Sequence, residues 1–246
     1  MLQALTNVVA LRRRESVQGE LEIRVGTLCG DGTFVAGMNS DEFEQLHREM
    51  EVEASLESEE SEWRQVVDYH YVAPSGERVR TRVECDLQGL TMNTSHITKT
   101  TLHDEIVTVQ DRSSACRVAC AREVPILSPP QACFPTHVRV KSRRRFWDKR
   151  DDRVVWVYEL SRTWSGPSRV VVEGKQQTEA PVYEVECELI DEQGVYLSAH
   201  DDDYVARSLV LKASSLLGTN LPLAIRDKSR PSKRARLRGS ETLTPC

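Results

Sequence analysis

The chain has 246 residues, with 33 Lys plus Arg against 38 Asp plus Glu, and a net charge of −5. That length suits one domain with a large core, and the near balance of charge neither demands nor excludes a nucleic-acid or phosphate partner, so charge has to be judged locally. Seven cysteines, an odd number without C-x-x-C spacing, argue against a disulfide framework and a structural zinc site and read as reduced packing residues. The opening "MLQALTNVVALRRRES" places an apolar run before basic residues, the reverse of a secretory leader. No apolar stretch is long enough to span a bilayer, so a soluble intracellular protein is expected.

The predicted elements begin with the strand "ELEIRVGTL". A helix follows from about Asp41 to Leu56, capped by Asn39 or Ser40, with Phe43, Leu46 and Met50 at helical spacing and an acidic "ESEESE" loop after it. Short segments rich in Val, Tyr, Trp and Thr then recur: "WRQVVDYHYV", "ERVRTRVECD", "HITKTTLH", "EIVTVQD", "CRVACAREVPI", "HVRVKSRRRFW", "RVVWVYELSRTW", "SRVVVEG" and "VYEVECELI". So many strand-like segments with polar connectors predict a largely antiparallel sheet or barrel, and "VAPSGE" predicts a hairpin bent at Pro74 and Gly76. A second helix starts near Asp201 to Asp203, carries Val205, Leu209, Ala213 and Leu216 on one side, and stops at Gly218. The domain is therefore expected over 1–225. Residues 226–246, "RDKSRPSKRARLRGSETLTPC", read as a basic, disordered tail whose "SKRARLR" is either a nuclear import signal or a solubilising end.

Side chains of a strand alternate between faces, and here charge recurs on one face of strand after strand. Glu20, Glu22 and Arg24 are in phase, as are Arg78, Arg80 and Arg82, then Arg117 and Glu123, then Arg139, Lys141 and Arg143, and finally Glu184, Glu186 and Glu188. Glu159 adds a further charge. The opposite faces carry Leu21, Ile23 and Val25, Val79 and Val83, Val138 and Val140, and Val185, Cys187 and Leu189. Closing these strands into a barrel whose outside is packed by helices and loops puts the charges in the lumen. The four tryptophans, Trp63, Trp147, Trp156 and Trp164, are expected on the outer face.

Charges gathered in a lumen need partners. Two carboxylates about 4 Å apart repel by about 4 kcal/mol at an effective dielectric near 20, so two facing E-x-E strands must protonate or bind a cation. Oxygen-only ligands favour a hard divalent ion, Mg²⁺ or Mn²⁺. The Arg and Lys strands call for a polyanion with several oxygens, such as a triphosphate, and metal, cations and a water-orienting carboxylate together are what metal-assisted phosphoryl transfer requires.

"GELEIRVG" and "YEVECELI" resemble the paired glutamate motifs of the triphosphate tunnel metalloenzymes, specifically the fungal and protozoan mRNA-capping RNA 5′-triphosphatases, with "VYELSRTW" and the short chain most similar to a kinetoplastid member. Between them the strand order matches as well: an Arg-rich strand, a strand ending in Glu before Pro, an R-x-K-x-R strand and "VYELS". The resemblance spans about residues 20–190. It implies an eight-stranded antiparallel tunnel that removes the γ-phosphate from triphosphate-ended nascent mRNA. It implies Glu20, Glu22 and Glu188 as metal ligands for Mg²⁺ or Mn²⁺ with Glu186 in support. Arg80 or Arg82, Lys99, Arg139, Lys141 and Arg143 would hold phosphates, Glu123 would orient the attacking water, and Glu159 would organise the basic residues. One departure is Val157, where the family places an arginine; Arg153 and Arg162 are the candidates to replace it.

The resemblance further implies a monomer that meets a capping-machinery partner, works in the nucleus and touches no membrane, with the cytoplasm as the other location. Nucleoside triphosphates are alternative substrates. Two other readings stay open: a related tunnel enzyme acting on inorganic tripolyphosphate or polyphosphate, and a non-catalytic barrel that binds polyanions or RNA. Arg24, where the tripolyphosphatase branch more often has a lysine, leans toward the capping branch.

Overall fold

The computed structural model describes residues 1–15, 18–53, 55–58, 62–86, 88–109, 112–130, 133–150, 153–191, 194–218 and 223–225; the basic tail expected from residue 226 lies outside them. In chain order the elements are helix α1 (Leu2–Arg14), strands β1 (Gly19–Leu28) and β2 (Phe34–Ala36), α2 (Ser40–Val52), β3 (Leu56–Ser58), β4 (Arg64–Val72), β5 (Arg78–Cys85), β6 (Thr91–Val109), β7 (Ser114–Pro125), β8 (His137–Arg150), β9 (Arg153–Gly166), α3 (Arg169–Thr178), β10 (Val182–Leu189), α4 (Val195–Ala199), α5 (Asp202–Leu216) and β11 (Leu223–Ile225). None of the described helices is long and apolar enough to cross a membrane.

Eight strands close on themselves in the order β1, β7, β6, β5, β4, β8, β9, β10 and back to β1, each pair antiparallel. The closing seam pairs Glu22 with Glu188 and Arg24 with Glu186, so both acidic motifs face the same interior. β2, β3 and β11 extend the rim by pairing with β1, β8 and β6. The β4–β5 hairpin turns where expected, with Gly76 at φ 84° and the Ala73 amide bonded to the Glu77 carbonyl at 2.9 Å.

The segments "HITKTTLH" and "EIVTVQD" are one strand of 19 residues, β6, with a register shift between Thr101 and His103. The extra residue breaks the alternation that a regular strand would show, which is why the two halves read as separate. "SRVVVEG" is no strand either. Its valines favour strand, but Ser168 caps a helix by accepting the Val171 amide, and α3 buries Val172 against Val67, Val138 and Val140 on the outer faces of β4 and β8.

The outer faces of β1, β7 and β10 are apolar, with Leu21, Ile23, Val118, Cys120, Val185 and Leu189 almost fully buried. Two helices cover them. α5 supplies Val205, Leu209, Ala213 and Leu216, and α1, which the sequence reading did not anticipate, supplies Leu5, Val8 and Val9. Arg12, Arg13 and Arg14 lie in the last turn of α1, where positive charge suits the helix dipole. α1 is then tied to α5 by Arg13 with Asp202 at 2.8 Å and by Thr6 Oγ1, which donates to Asp203 at 2.8 Å. α2, capped by Asn39, packs Phe43 and His47 against Trp63. The described cysteines are free thiols, and Cys85, Cys116, Cys120 and Cys187 are buried, as reduced packing residues should be.

Candidate active site

The barrel interior is built by alternation. Every candidate residue falls on the phase that points inward: Glu20 and Glu22 on β1, Glu123 on β7, Lys99 on β6, Arg80 and Arg82 on β5, Arg139, Lys141 and Arg143 on β8, Glu159 on β9, and Glu186 and Glu188 on β10. The order of strands then makes two walls. β1 and β10 form an acidic wall, and β5, β4 and β8 form a basic one across the lumen. On β7 the inward side chains beside β1 are Ala119 and Ala121, small enough to leave room for the glutamates.

The acidic wall converges on Lys99. Its ammonium bonds Glu20 and lies 3.2 Å from Glu123 and 3.8 Å from Glu22, while Arg80 reaches the same Glu123 at 3.3 Å. Arg24 bridges the seam, 2.9 Å from Glu186 and 3.3 Å from Glu22, and Arg117 adds a contact to Glu22 at 3.4 Å. On the basic side Lys141, 2% exposed, donates to Glu159 at 3.1 Å and lies 4.0 Å from Glu186. Glu159 also accepts from Ser161 at 3.1 Å and has Arg143 at 3.7 Å and Arg145 at 3.6 Å. Arg139 pairs with Glu184, which accepts from Thr163 Oγ1 at 2.9 Å.

These surroundings split the glutamates. Burial, then the neighbouring charges of Glu22, Glu188 and Glu123, push Glu20 up to about 8 in spite of Lys99. Burial, then Glu123 and Glu22, push Glu188 up to about 7. Burial acts on Glu186 and Glu159 too, but cations outweigh it: Arg24 and Lys141 hold Glu186 down at about 2, and Lys141, Arg82, Arg143 and Arg145 hold Glu159 well below the usual carboxylate range. Lys99 is raised above an ordinary lysine because Glu22, Glu20 and Glu123 overcome its desolvation. The acidic wall is thus short of positive charge and the basic wall is not.

That deficit bears on a metal. Glu20, Glu22 and Glu188 offer only carboxylate oxygens, and two of them carry the raised affinity for protons that a divalent cation would replace, which fits a hard ion such as Mg²⁺ or Mn²⁺. Among the described residues no three His, Cys, Asp or Glu side chains already stand in ligating geometry; the Lys99 ammonium takes the central position. A phosphate chain fits the basic side. On that side Arg80 Nε and Arg143 Nη1 are buried with no hydrogen-bond partner, so these guanidiniums hold donors that a polyanion can use.

Arg80 and Arg82 stand in different surroundings. Arg82 is locked in a two-pronged pair with Asp68, Nε donating at 2.8 Å and Nη2 at 3.0 Å, whereas Arg80 reaches the carboxylate cluster. Asp68, 1% exposed, was missed in the sequence because "RQVVDYHYV" mixes valine, aspartate and histidine on its inward phase. Glu84, 3.0 Å from Arg143, and Arg145 were also missed; both continue period-two series already in hand, from Arg82 and from Arg143. Neither candidate replaces the arginine expected at Val157. Arg153 is exposed at the start of β9, and Arg162 points outward, stacked 4.3 Å over Trp63 and paired with Glu44 at 2.7 Å. The cation that approaches Glu159 beside Val157 is Arg145, from the neighbouring strand.

No described protein family and no curated protein matches the sequence. Solved structures do. The RNA triphosphatase Pct1 of S. pombe superposes with a TM-score of 0.62 at 14% identity, over 88% of this chain and 90% of that one. The same enzyme in complex with the Spt5 CTD gives 0.61 at 14% identity, over 88% of this chain and 90% of that one. The Mimivirus capping enzyme triphosphatase gives 0.54 at 15% identity, over 88% of this chain and 97% of that one. The closed eight-stranded antiparallel barrel matches these structures, and the chain has the tunnel fold of these RNA triphosphatases.

Proposed function

We propose that the protein is a divalent-metal-dependent RNA 5′-triphosphatase that removes the γ-phosphate from triphosphate-ended RNA as the first step of 5′ capping. The observation that carries this reading is the split lumen: a carboxylate wall short of positive charge facing a wall of arginine and lysine. An uncharged or uniformly basic barrel would bind RNA without needing buried glutamates at Glu20, Glu22 and Glu188. The likeness of fold to the S. pombe and Mimivirus enzymes supports the RNA substrate over inorganic tripolyphosphate.

In this reading Glu20, Glu22 and Glu188 would hold a Mg²⁺ or Mn²⁺ ion, which would supply Lewis-acid polarisation of the scissile phosphoryl group. Lys99 then leaves the carboxylates and contacts phosphate oxygens, a movement its flexible stem allows. Arg80, Arg139, Lys141 and Arg143 bind the phosphate chain and hold it in line, where charge spreads over the transferring group. Glu123, adjacent to both Lys99 and Arg80, accepts a hydrogen bond from the attacking water and orients it. Glu186 and Glu159 keep Arg24, Lys141 and Arg143 in place, Glu186 from the seam and Glu159 from within the basic wall.

The test is release of γ-phosphate from a triphosphate-ended RNA by the purified chain with and without Mg²⁺ or Mn²⁺. Metal-dependent release is the expected outcome. Binding of the RNA with no release under either metal would leave a polyanion-binding barrel as the surviving reading.

A further inference from the structure

Outside the barrel, the start of β9 and the helices α4 and α5 enclose a groove of about 1030 Å³. Sites for small ligands are commonly about 300–1,000 Å³, so it has room for more than one nucleoside. A row of rings crosses it. Trp156, 2% exposed, meets Tyr196 edge-on at 6.4 Å, Tyr196 meets His200 at 4.7 Å, and His200 lies flat on Tyr204 at 4.2 Å and 16°. Tyr204, at the solvent end, is 50% exposed. The row therefore runs from the core to an open aromatic face.

One exposed cation, Arg153, lines the groove; Arg145 and Lys212 line it too, Arg145 beside Glu159 at 3.6 Å and Lys212 paired with Asp148 at 2.9 Å and lying 4.9 Å over the Trp156 ring. Asp191, the acid in its wall, is turned to backbone and accepts the amides of Tyr196 and Leu197 at 3.0 Å. The acids near Tyr204 are engaged as well: Asp201 accepts the Tyr204 amide at 2.7 Å, Asp202 pairs with Arg13 and Asp203 accepts from Thr6. Aromatic faces beside basic side chains suit bases joined by phosphates.

Part of the groove lining is shared with the tunnel wall. Arg145 and Val157 line the groove, yet both belong to the inward phase: Arg145 is 3.6 Å from Glu159, and Val157 pairs with Glu188 across β9 and β10. Trp147, on the same inward phase of β8 and also in the groove wall, corrects the expectation that every tryptophan packs on the outer face.

We propose that this groove binds the 5′-terminal nucleosides of the RNA whose triphosphate occupies the tunnel, with a base stacked on the His200–Tyr204 pair; this rests on the triphosphatase reading. It gives the enzyme a means of telling RNA from inorganic tripolyphosphate, since only RNA has bases to stack.

The experiment compares wild type, Tyr204→Ala, Tyr204→Phe and His200→Ala in Mn²⁺, with a triphosphate-ended RNA trinucleotide and with inorganic tripolyphosphate as substrates. Tyr204→Ala should raise KM for the RNA about tenfold, the order expected for one lost stacking contact, with kcat and the tripolyphosphate KM held. Tyr204→Phe should behave as wild type. An unchanged RNA KM in both alanine variants, as expected of a groove made for peptide, overturns the proposal, as does an equal rise with tripolyphosphate. Thermal melts establish that the variants fold, and Tyr204, half-exposed in the first turn of α5, carries the test should His200→Ala unfold. Failure of wild type to release phosphate from the RNA counts instead against the triphosphatase reading.

Discussion

Glu188 and Glu186 stand two residues apart on one face of β10, both half-buried, and ionise in opposite senses. Glu188 is pushed up to about 7 by burial and the charges of Glu123 and Glu22, while Arg24 and Lys141 hold Glu186 at about 2 against the same burial. The difference lies in the residue of β1 that each one faces. Glu188 is paired across the seam with another carboxylate, Glu22, and Glu186 with Arg24. One glutamate awaits a cation and the other already has two. A motif that looks uniform in sequence therefore holds two environments, an end short of positive charge and a brace for the basic wall.

The strongest way to break this comparison is to remove ligands at the acidic end. Glu22→Ala or Glu188→Ala should lower metal-dependent hydrolysis by about 10²- to 10³-fold, as loss of one group that stabilises transition-state charge does. Neither should unfold the chain, because each side chain faces the lumen and its loss empties no part of the apolar core. Turnover near wild type in a folded variant would remove these residues from the site.

At the braced end the expectation reverses and falls on stability. Lys141→Ala leaves Glu159 and Glu186 buried without their nearest ammonium and should destabilise the protein by about 3 kcal/mol at neutral pH, read from urea unfolding. Glu20→Gln, on the acidic wall, should instead raise the melting temperature of metal-free protein at pH 9 by about 2–4 °C, the shift about 1 kcal/mol gives in a chain of this size. Equal signs for the two substitutions would erase the distinction between the walls.

The smallest effect is the slope of stability with pH. Glu20 and Glu188 keep their protons in the folded chain to about 8 and about 7, whereas the unfolded chain releases them near the ordinary glutamate value of 4.5. Between these limits the folded state binds more protons, so its stability falls as pH rises. Glu186 and Glu159 act in the other direction, losing their contribution only as pH drops below 4.5 toward their depressed values. Metal-free protein should therefore melt highest near pH 5, and Mn²⁺ should flatten the decline toward pH 9. A metal-free melting temperature that rises from pH 6 to pH 9 would contradict the shifts on which the acidic wall rests.

Much of the tunnel was legible because alternation is a short-range signal. Glu20, Glu22 and Arg24, or Arg139, Lys141 and Arg143, declare a common face wherever the strand ends up, and opposite apolar faces such as Leu21 and Ile23 ask for a cover. What hid was whatever depends on a partner distant in the chain. Asp68 gains its role only beside Arg82, and α1 is a helix because β7 and α5 offer Val8 and Val9 an apolar surface. α3 hid behind three valines, since propensity reads the residues and not the cap at Ser168. The groove at α4 and α5 was beyond reach, as its rings come from β9, α4, the link after it and α5.

The central claim is that the β1–β10 seam exchanges protons for a divalent ion. Calorimetric titration of Mn²⁺ at pH 6.5, repeated in buffers of different ionisation enthalpy, counts those protons directly. Because Glu20 and Glu188 are mostly protonated at that pH and metal ligands must be ionised, wild type should release about one to two protons per ion bound. The Glu20→Gln, Glu188→Gln double variant should bind weakly and release none. Tight Mn²⁺ binding without proton release, or binding unchanged in the double variant, would place the metal elsewhere and contradict the account.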